Sequence, residues 1–295
     1  MGMLDAMSGD AIRLRRMDFA DLPLGMQLKE QAGWNQTEAD WKRLLALALA
    51  PAPAADGGCV AEWHGEPVGT AVACAFDHVG WIAMVLVHPD YRGRGIGTCL
   101  VERSIAHLER LAVRSIRLDA TPLGRPMYEK LRFRVEYALA RWEGTAPVRS
   151  PPPRVVRVDA DHLEAIAELD RRITGTPRAR LLHHLFRQQP AAMRVVTGPE
   201  GLAGYATWRE GSLAAQIGPA MALRAEIGEE LMDAMLAACP GRRVFVDIPC
   251  DNALATRWAA ARGLAVQRPL IRMVRGAPIA DRPACLWASS GPECG

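Results

Sequence analysis

Across its 295 residues the chain has no C-x-x-C pair, no Cys/His cluster at metal-ligand spacing and no glycine-rich loop ending in Lys-Ser or Lys-Thr. The seven cysteines, Cys59, Cys74, Cys99, Cys239, Cys250, Cys285 and Cys294, are odd in number and scattered. That distribution argues against a disulfide framework or a structural metal, and it reads as reduced thiols. The N-terminus lacks a basic-then-apolar signal pattern, and no apolar run reaches membrane-spanning length. A cytoplasmic protein without a membrane partner is expected. Lysine is scarce: only Lys29, Lys42 and Lys130 stand among 36 basic residues. The net charge of +3 is too small for a nucleic-acid or membrane polyelectrolyte.

What is present is apolar residue, 49% of the chain, enough for buried cores, and a length that predicts two domains. The most informative stretch is Val87-His88-Pro89-Asp90-Tyr91-Arg92-Gly93-Arg94-Gly95-Ile96-Gly97. An apolar run, residues 81–87, leads into it as a strand, and an amphipathic run, residues 98–112, leads out as a helix. A loop of this kind brings bare N–H groups to a helix N-terminus, where unpaired donors and the dipole attract an anion. Glycine permits close approach of backbone to ligand, and Arg92 and Arg94 add charge. A dinucleotide-binding loop fits less well, because Thr98 occupies the sixth position of G-x-G-x-x-G and the preceding strands form a meander.

The first half reads as strand 12–17, helix 18–32, a break at Trp34-Asn35-Gln36, a helix capped by Thr37 and ended by Pro51, and three strands, 59–63, 68–76 and 81–87. The glycine loop and its helix follow, then strand 115–118, a short helix 126–132 and strand 133–142. Residues 144–153 are proline-dense and aperiodic, as in a linker. After them the same order of elements returns, which indicates an internal duplication. Ile116-Arg117-Leu118-Asp119 aligns with Val244-Phe245-Val246-Asp247, Leu131-Arg132-Phe133 with Arg262-Gly263-Leu264, and Arg141…Gly144 with Arg272…Gly276. The expected organisation is domain 1–144, linker 145–153, domain 154–276 and a tail 277–295 wrapped on the surface or partly disordered.

Arg92-Gly93-Arg94-Gly95-Ile96-Gly97 resembles the R/Q-x-x-G-x-G/A signature of the GNAT superfamily of acyl-CoA-dependent N-acetyltransferases. Val85 to Tyr91 is similar to the strand and turn before that signature, and Asp119-Ala-Thr-Pro to Tyr128-Glu-Lys-Leu-Arg-Phe133 to the fifth strand and following helix. The resemblance covers residues 12–144 with all elements in the family's order. It implies an α/β fold in which each half is a mixed, largely antiparallel sheet flanked by helices, with a splayed central strand pair.

For the site, the resemblance implies that the amides of Arg92, Gly93, Arg94, Gly95, Ile96 and Gly97, with Thr98, hold the pyrophosphate of acetyl-CoA. Met84, Val85, Leu86 and Val87 would pair with the pantetheine arm, and an N–H near Val85 would polarise the thioester carbonyl. Tyr128 falls where many members keep a tyrosine that protonates the leaving thiolate; otherwise it is a packed helix tyrosine. Arg132 departs from the glycine usual before the phenylalanine. The base stays open, because the strand before the loop carries no Glu: Asp119 stands first, beside Asp77, His78, Asp170 and Asp247. Trp34 and Asn35 border the acceptor cleft or simply staple two helices.

In the second half only Gly218 and Gly228 remain of the loop, and Glu226 would repel a pyrophosphate. The counterpart of Tyr128 is Ala259 or Trp258. This half resembles the degenerate C-terminal domain of tandem acetyltransferases, shaping the acceptor site; Asp170, Arg171, Arg172, His183, His184 and Asp247 are its polar candidates. The expected function is transfer of an acetyl group from acetyl-CoA to a primary amine by direct attack, the acceptor being a small molecule or a peptide amine. A catalytically silent acyl-CoA sensor is the alternative.

Overall fold

A computed structural model describes residues 11–49 and 56–295 and divides the chain into two compact units between Ile116 and Arg117. In the first unit, β1 (Ile12–Arg16), β2 (Gly58–Trp63), β3 (Glu66–Phe76) and β4 (Val79–Val87) form an antiparallel sheet in that order. Helices α1 (Leu22–Gln31) and α2 (Glu38–Ala48) connect β1 to β2, and α3 (Ile96–Arg110) follows β4. Thr37 caps α2 as expected: its hydroxyl accepts the Asp40 N–H, and the Asp40 carboxylate accepts the Thr37 N–H. Such a reciprocal box satisfies two donors that the first turn leaves orphaned. Trp41, Leu44, Leu45 and Ala48 are buried on one face, each large side chain contributing about 1.5–3 kcal/mol. Pro51, read as the end of this helix, lies outside the described residues.

The second unit holds β5 (Ser115–Ala120) from Arg117 onward, α4 (Arg125–Lys130), β6 (Arg134–Thr145), β7 (Val156–Arg157), α5 (Leu163–Thr174), α6 (Ala179–Gln188), β8 (Arg194–Gly198), β9 (Gly201–Arg209), β10 (Ala215–Ala222), α7 (Ala225–Ala237), β11 (Arg243–Pro249), α8 (Ala253–Ala261), β12 (Ala265–Gly276) and β13 (Leu286–Ala288). Its strands lie in the order β5-β12-β6-β11-β10-β9-β8-β7, with β13 on β10. The β10–β11 pair is parallel; β6–β11, β6–β12, β8–β9 and β9–β10 are antiparallel.

That order shows why the compact units do not coincide with the sequence repeats. β5 and β6 belong to the first repeat, β11 and β12 to the second, yet β12 sits beside β5 and β6 beside β11. Each repeat donates its last strand to the other. The proline-dense segment therefore joins two strands of one sheet, β6 and β7, rather than two self-contained halves.

The tail expectation is overturned for its second half. Residues 277–285 are exposed or half-buried, but from Leu286 the chain returns to the sheet: β13 pairs with β10, and Trp287, Ala288, Ser289, Ser290, Glu293 and Cys294 are all buried. A stretch able to bury an indole and complete a β ladder does not stay in solvent.

Candidate active site

The loop between β4 and α3 is built as its glycines suggest. Gly93 and Gly95 have φ of 76° and 83°, and a Cβ added at either would meet nothing within 4 Å. The backbone is left-handed there and opens on free space. Gly95 is the N-cap of α3, and the first intrahelical bond runs from the Cys99 N–H to the Gly95 carbonyl at 3.1 Å. Ile96, Gly97 and Thr98 thus present amides with no partner among the described residues, a ready anion cradle. The two arginines brace the loop. Arg92 Nε donates to the Val87 carbonyl at 3.1 Å and Arg94 Nη2 to the Asp90 carbonyl at 3.3 Å. The Arg94 guanidinium also lies over the rings of Trp63 and Tyr91, 5.0 and 5.5 Å from their centroids.

Just before the loop, β4 is irregular. The β3–β4 register pairs Thr70 with Leu86 and Val72 with Ala83, so Met84 and Val85 together oppose Ala71. Met84 adopts φ of 51°, and its carbonyl accepts the Thr70 hydroxyl at 3.0 Å. This is a β-bulge, which turns backbone groups out of the ladder. The Val85 side chain packs against the apolar cluster that includes Val68, Ala71, Ile96 and Leu100, while Met84 and Leu86 are buried. No residue type in Met84-Val85-Leu86 marks the bulge, so the sequence was silent on it.

Tyr128 lies on α4, its ring edge-on to Phe133 with centroids 5.9 Å apart and its Cε2 3.2 Å from where a Gly124 Cβ would sit. Burial raises its pKa to about 12, so the phenol keeps its proton across the neutral range. Arg132, two residues beyond α4, has φ of 66°, and its repeat counterpart Gly263 has φ of 76°. This position is thus left-handed in both repeats, and the first repeat fills it with arginine where the second has glycine.

The acidic candidates fare differently. Asp119 is buried with both oxygens held by Arg272, Nε at 2.8 Å and Nη2 at 2.9 Å. Asp247 is held in the same way by Arg141, 2.7 Å to each oxygen. Asp170 receives Arg178 at 2.8 and 2.9 Å and the hydroxyl of Tyr205. Carboxylates committed in this way are interior ion pairs rather than free bases, so the placing of Asp119 first among the base candidates, and of Asp170 and Asp247 against substrate, does not fit their surroundings. Asp77 and His78 sit exposed on the β3–β4 turn, at the opposite end of β4 from the loop, paired with each other at 3.2 Å. Asn35 is buried and Trp34 half-buried between α1 and α2. Arg171 is paired with Glu168 on the surface, Arg172 and His183 are exposed, and His184 is half-buried.

No thiol offers an alternative nucleophile among the groups with displaced titration. Burial pushes Cys59 up to about 11 and Cys239 to about 12, and raises Cys99 and Cys250. No group of metal-ligating residues and no helix long and apolar enough to cross a membrane occurs among the described residues. In the second repeat, Ala259 and Trp258 are buried, and the Trp258 indole N–H donates to Asp233 at 2.9 Å. Nothing there replaces the phenol.

Comparison with known proteins agrees with this geometry. The model of the acetyltransferase (GNAT) family matches residues 26–133, and that of an acetyltransferase (GNAT) domain matches residues 166–288. An acetyltransferase of Sodalis glossinidius is 35% identical over 109 residues, 35% of this chain and 70% of the relative. The holothin acyltransferase of Pseudoalteromonas sp. is 28% identical over 187 residues, 62% of this chain and 63% of that relative's length. A solved structure from Pyrococcus horikoshii, assigned as an acetyltransferase, superposes with a TM-score of 0.82 at 22% identity, covering 100% of this chain and 99% of its own.

Proposed function

Because the chain belongs to the GNAT acetyltransferase family, with two such domains in tandem, we propose that it is an N-acetyltransferase that moves the acetyl group of acetyl-CoA to a primary amine by direct attack. The observation that carries this reading is the β4–α3 loop, with its left-handed Gly93 and Gly95 and the amides of Ile96, Gly97 and Thr98 that have no partner among the described residues. These amides, with those of Arg92 to Gly95, would hold the pyrophosphate, and the bulged edge of β4 at Met84 to Val87 would pair with the pantetheine arm. Acetyl-CoA supplies an activated thioester, whose carbonyl carbon is the electrophile.

The chain's own contributions follow. A backbone N–H turned out at the Met84–Val85 bulge stabilises negative charge developing on an acyl oxygen. Tyr128, kept protonated by burial, donates to a departing thiolate. The amine must arrive neutral. With Asp119, Asp170 and Asp247 each bound to an arginine, its proton leaves through water rather than through one of these carboxylates. Trp34 and Asn35, between α1 and α2, would border the acceptor, a small-molecule or peptide amine. The loss of loop and phenol in the second repeat leaves it to shape the acceptor side. A panel of amines, read by thiol release and by mass of the product, tests the proposal. A silent acyl-CoA-binding module is the second reading, favoured by those same committed carboxylates, and tight cofactor binding without turnover on any amine would select it.

A further inference from the structure

In the second repeat β10 and β11 are the counterparts of β4 and β5. They pair in parallel at Ala215–Val244, Gln216–Phe245 and Ile217–Val246, and the pairing stops there. Beyond that point β13 enters the wedge. It pairs with β10 through Ala288 opposite Ala220 and Leu286 opposite Met221, and the next residue, Ser289, donates its N–H to the Asp247 carbonyl on β11 at 2.8 Å. The segment is therefore hydrogen-bonded to both walls of the cleft.

Further contacts fix it along its length. Asn252 Nδ2 donates to the Leu286 carbonyl at 3.0 Å, Arg209 Nη1 to the Ser290 carbonyl at 2.9 Å and Arg178 Nη1 to the Cys294 carbonyl at 2.8 Å. The Glu293 carboxylate meets Arg209 Nη2 at 3.2 Å. The Trp287 indole lies on Gly228, in the first turn of α7, so closely that a Cβ there would overlap it; a Cβ at Gly218 would likewise overlap the Ser289 carbonyl. Both glycines that survive from the second repeat's loop region thus serve the close approach of this segment. Arg224, not glycine, is the N-cap of α7, and Glu226 follows in its first turn.

We propose that Leu286 to Cys294 is a resident strand ligand of the second repeat, filling the cleft along β10 that the first repeat keeps for an acyl-CoA arm along β4, so that the second repeat is closed to acyl-CoA and each chain carries one cofactor. The inference rests on the reading of β4 as the cofactor-pairing strand. Strand addition provides the affinity, since the main-chain bonds on both walls are independent of side-chain identity, and the Trp287 and Glu293 seats provide the specificity.

Hydrogen exchange on the full chain tests it. The amides of residues 286–290 should exchange as slowly as those of β10, and saturating acetyl-CoA should slow residues 93–98 while leaving residues 215–222 and 286–290 unchanged. Gly228→Ala should expel the indole and speed exchange over residues 286–290 by about tenfold or more. Adding Gly228→Ala to Trp287→Ala should cost no further protection, because the obstructing ring is gone. Unprotected amides at 286–290 in the unsubstituted chain, slowing of β10 by acetyl-CoA, or additive effects of the two substitutions would overturn the inference. If residues 93–98 fail to respond while the tail behaves as stated, the proposed function fails and the resident ligand stands.

Discussion

Arg272 of β12 holds both oxygens of Asp119 of β5, and Arg141 of β6 holds Asp247 of β11 in the same manner. The two pairs are equivalent under the internal repeat, and each spans it, arginine from one copy and aspartate from the other. They are the side-chain record of the strand exchange. Removing the guanidinium leaves a buried carboxylate without its partner, so Arg272→Met should destabilise the fold by about 3–5 kcal/mol, read as a lower midpoint in urea. Asp119→Leu with Arg272→Met should recover most of that loss. An Asp119→Asn protein that stays folded but loses an acid limb in its pH–rate profile would instead restore Asp119 as a base.

Gly95→Val should abolish acetyl-CoA binding. At φ of 83° a β-branched residue costs about 1–2 kcal/mol or more, and its methyls would occupy the space in front of the helix amides. The far-ultraviolet circular dichroism should remain that of the parent protein, and calorimetry should lose the binding heat.

Tyr128→Phe should lower turnover by about a hundredfold with cofactor affinity unchanged. The hydroxyl titrates near about 12 against an ordinary value of 10.0, so the parent rate should show no alkaline fall below pH 10. The linkage has a sign: the folded state holds the proton more tightly, so the stability from this group is whole below pH 10 and is lost as pH rises through about 12. Thermal melts across that window should show a shallower decline for Tyr128→Phe. A fully active variant would remove the catalytic role.

Arg132→Gly should stabilise the protein by about 1 kcal/mol, since arginine at φ of 66° bears the left-handed penalty that glycine avoids. Gly263→Arg, at φ of 76° with nothing within 4 Å of its Cβ, should lose a similar amount. Melting temperatures of the two variants provide the comparison.

The loop was legible because its glycines, preceding strand and following helix all point to one structure, and the Thr37 cap because its chemistry is local. The alignment of Asp119 with Asp247 and of Arg141 with Arg272 was also visible. Periodicity, however, cannot tell whether a closing strand pairs within its own copy or with the other, and the exchange followed from sheet order alone. The segment after Gly276 carries Pro278, Pro283 and Pro292, which reads as surface chain, and β13, at three residues, is too short to reveal an alternation. The bulge at Met84 depends on the register against Ala71, which no single residue announces.

Calorimetric titration of the full chain with acetyl-CoA is the most direct test of a single catalytic loop in a duplicated scaffold. One equivalent should bind per chain, lost in Gly95→Val and kept in Trp287→Ala. No binding to the parent chain, or binding that survives Gly95→Val, would contradict the account.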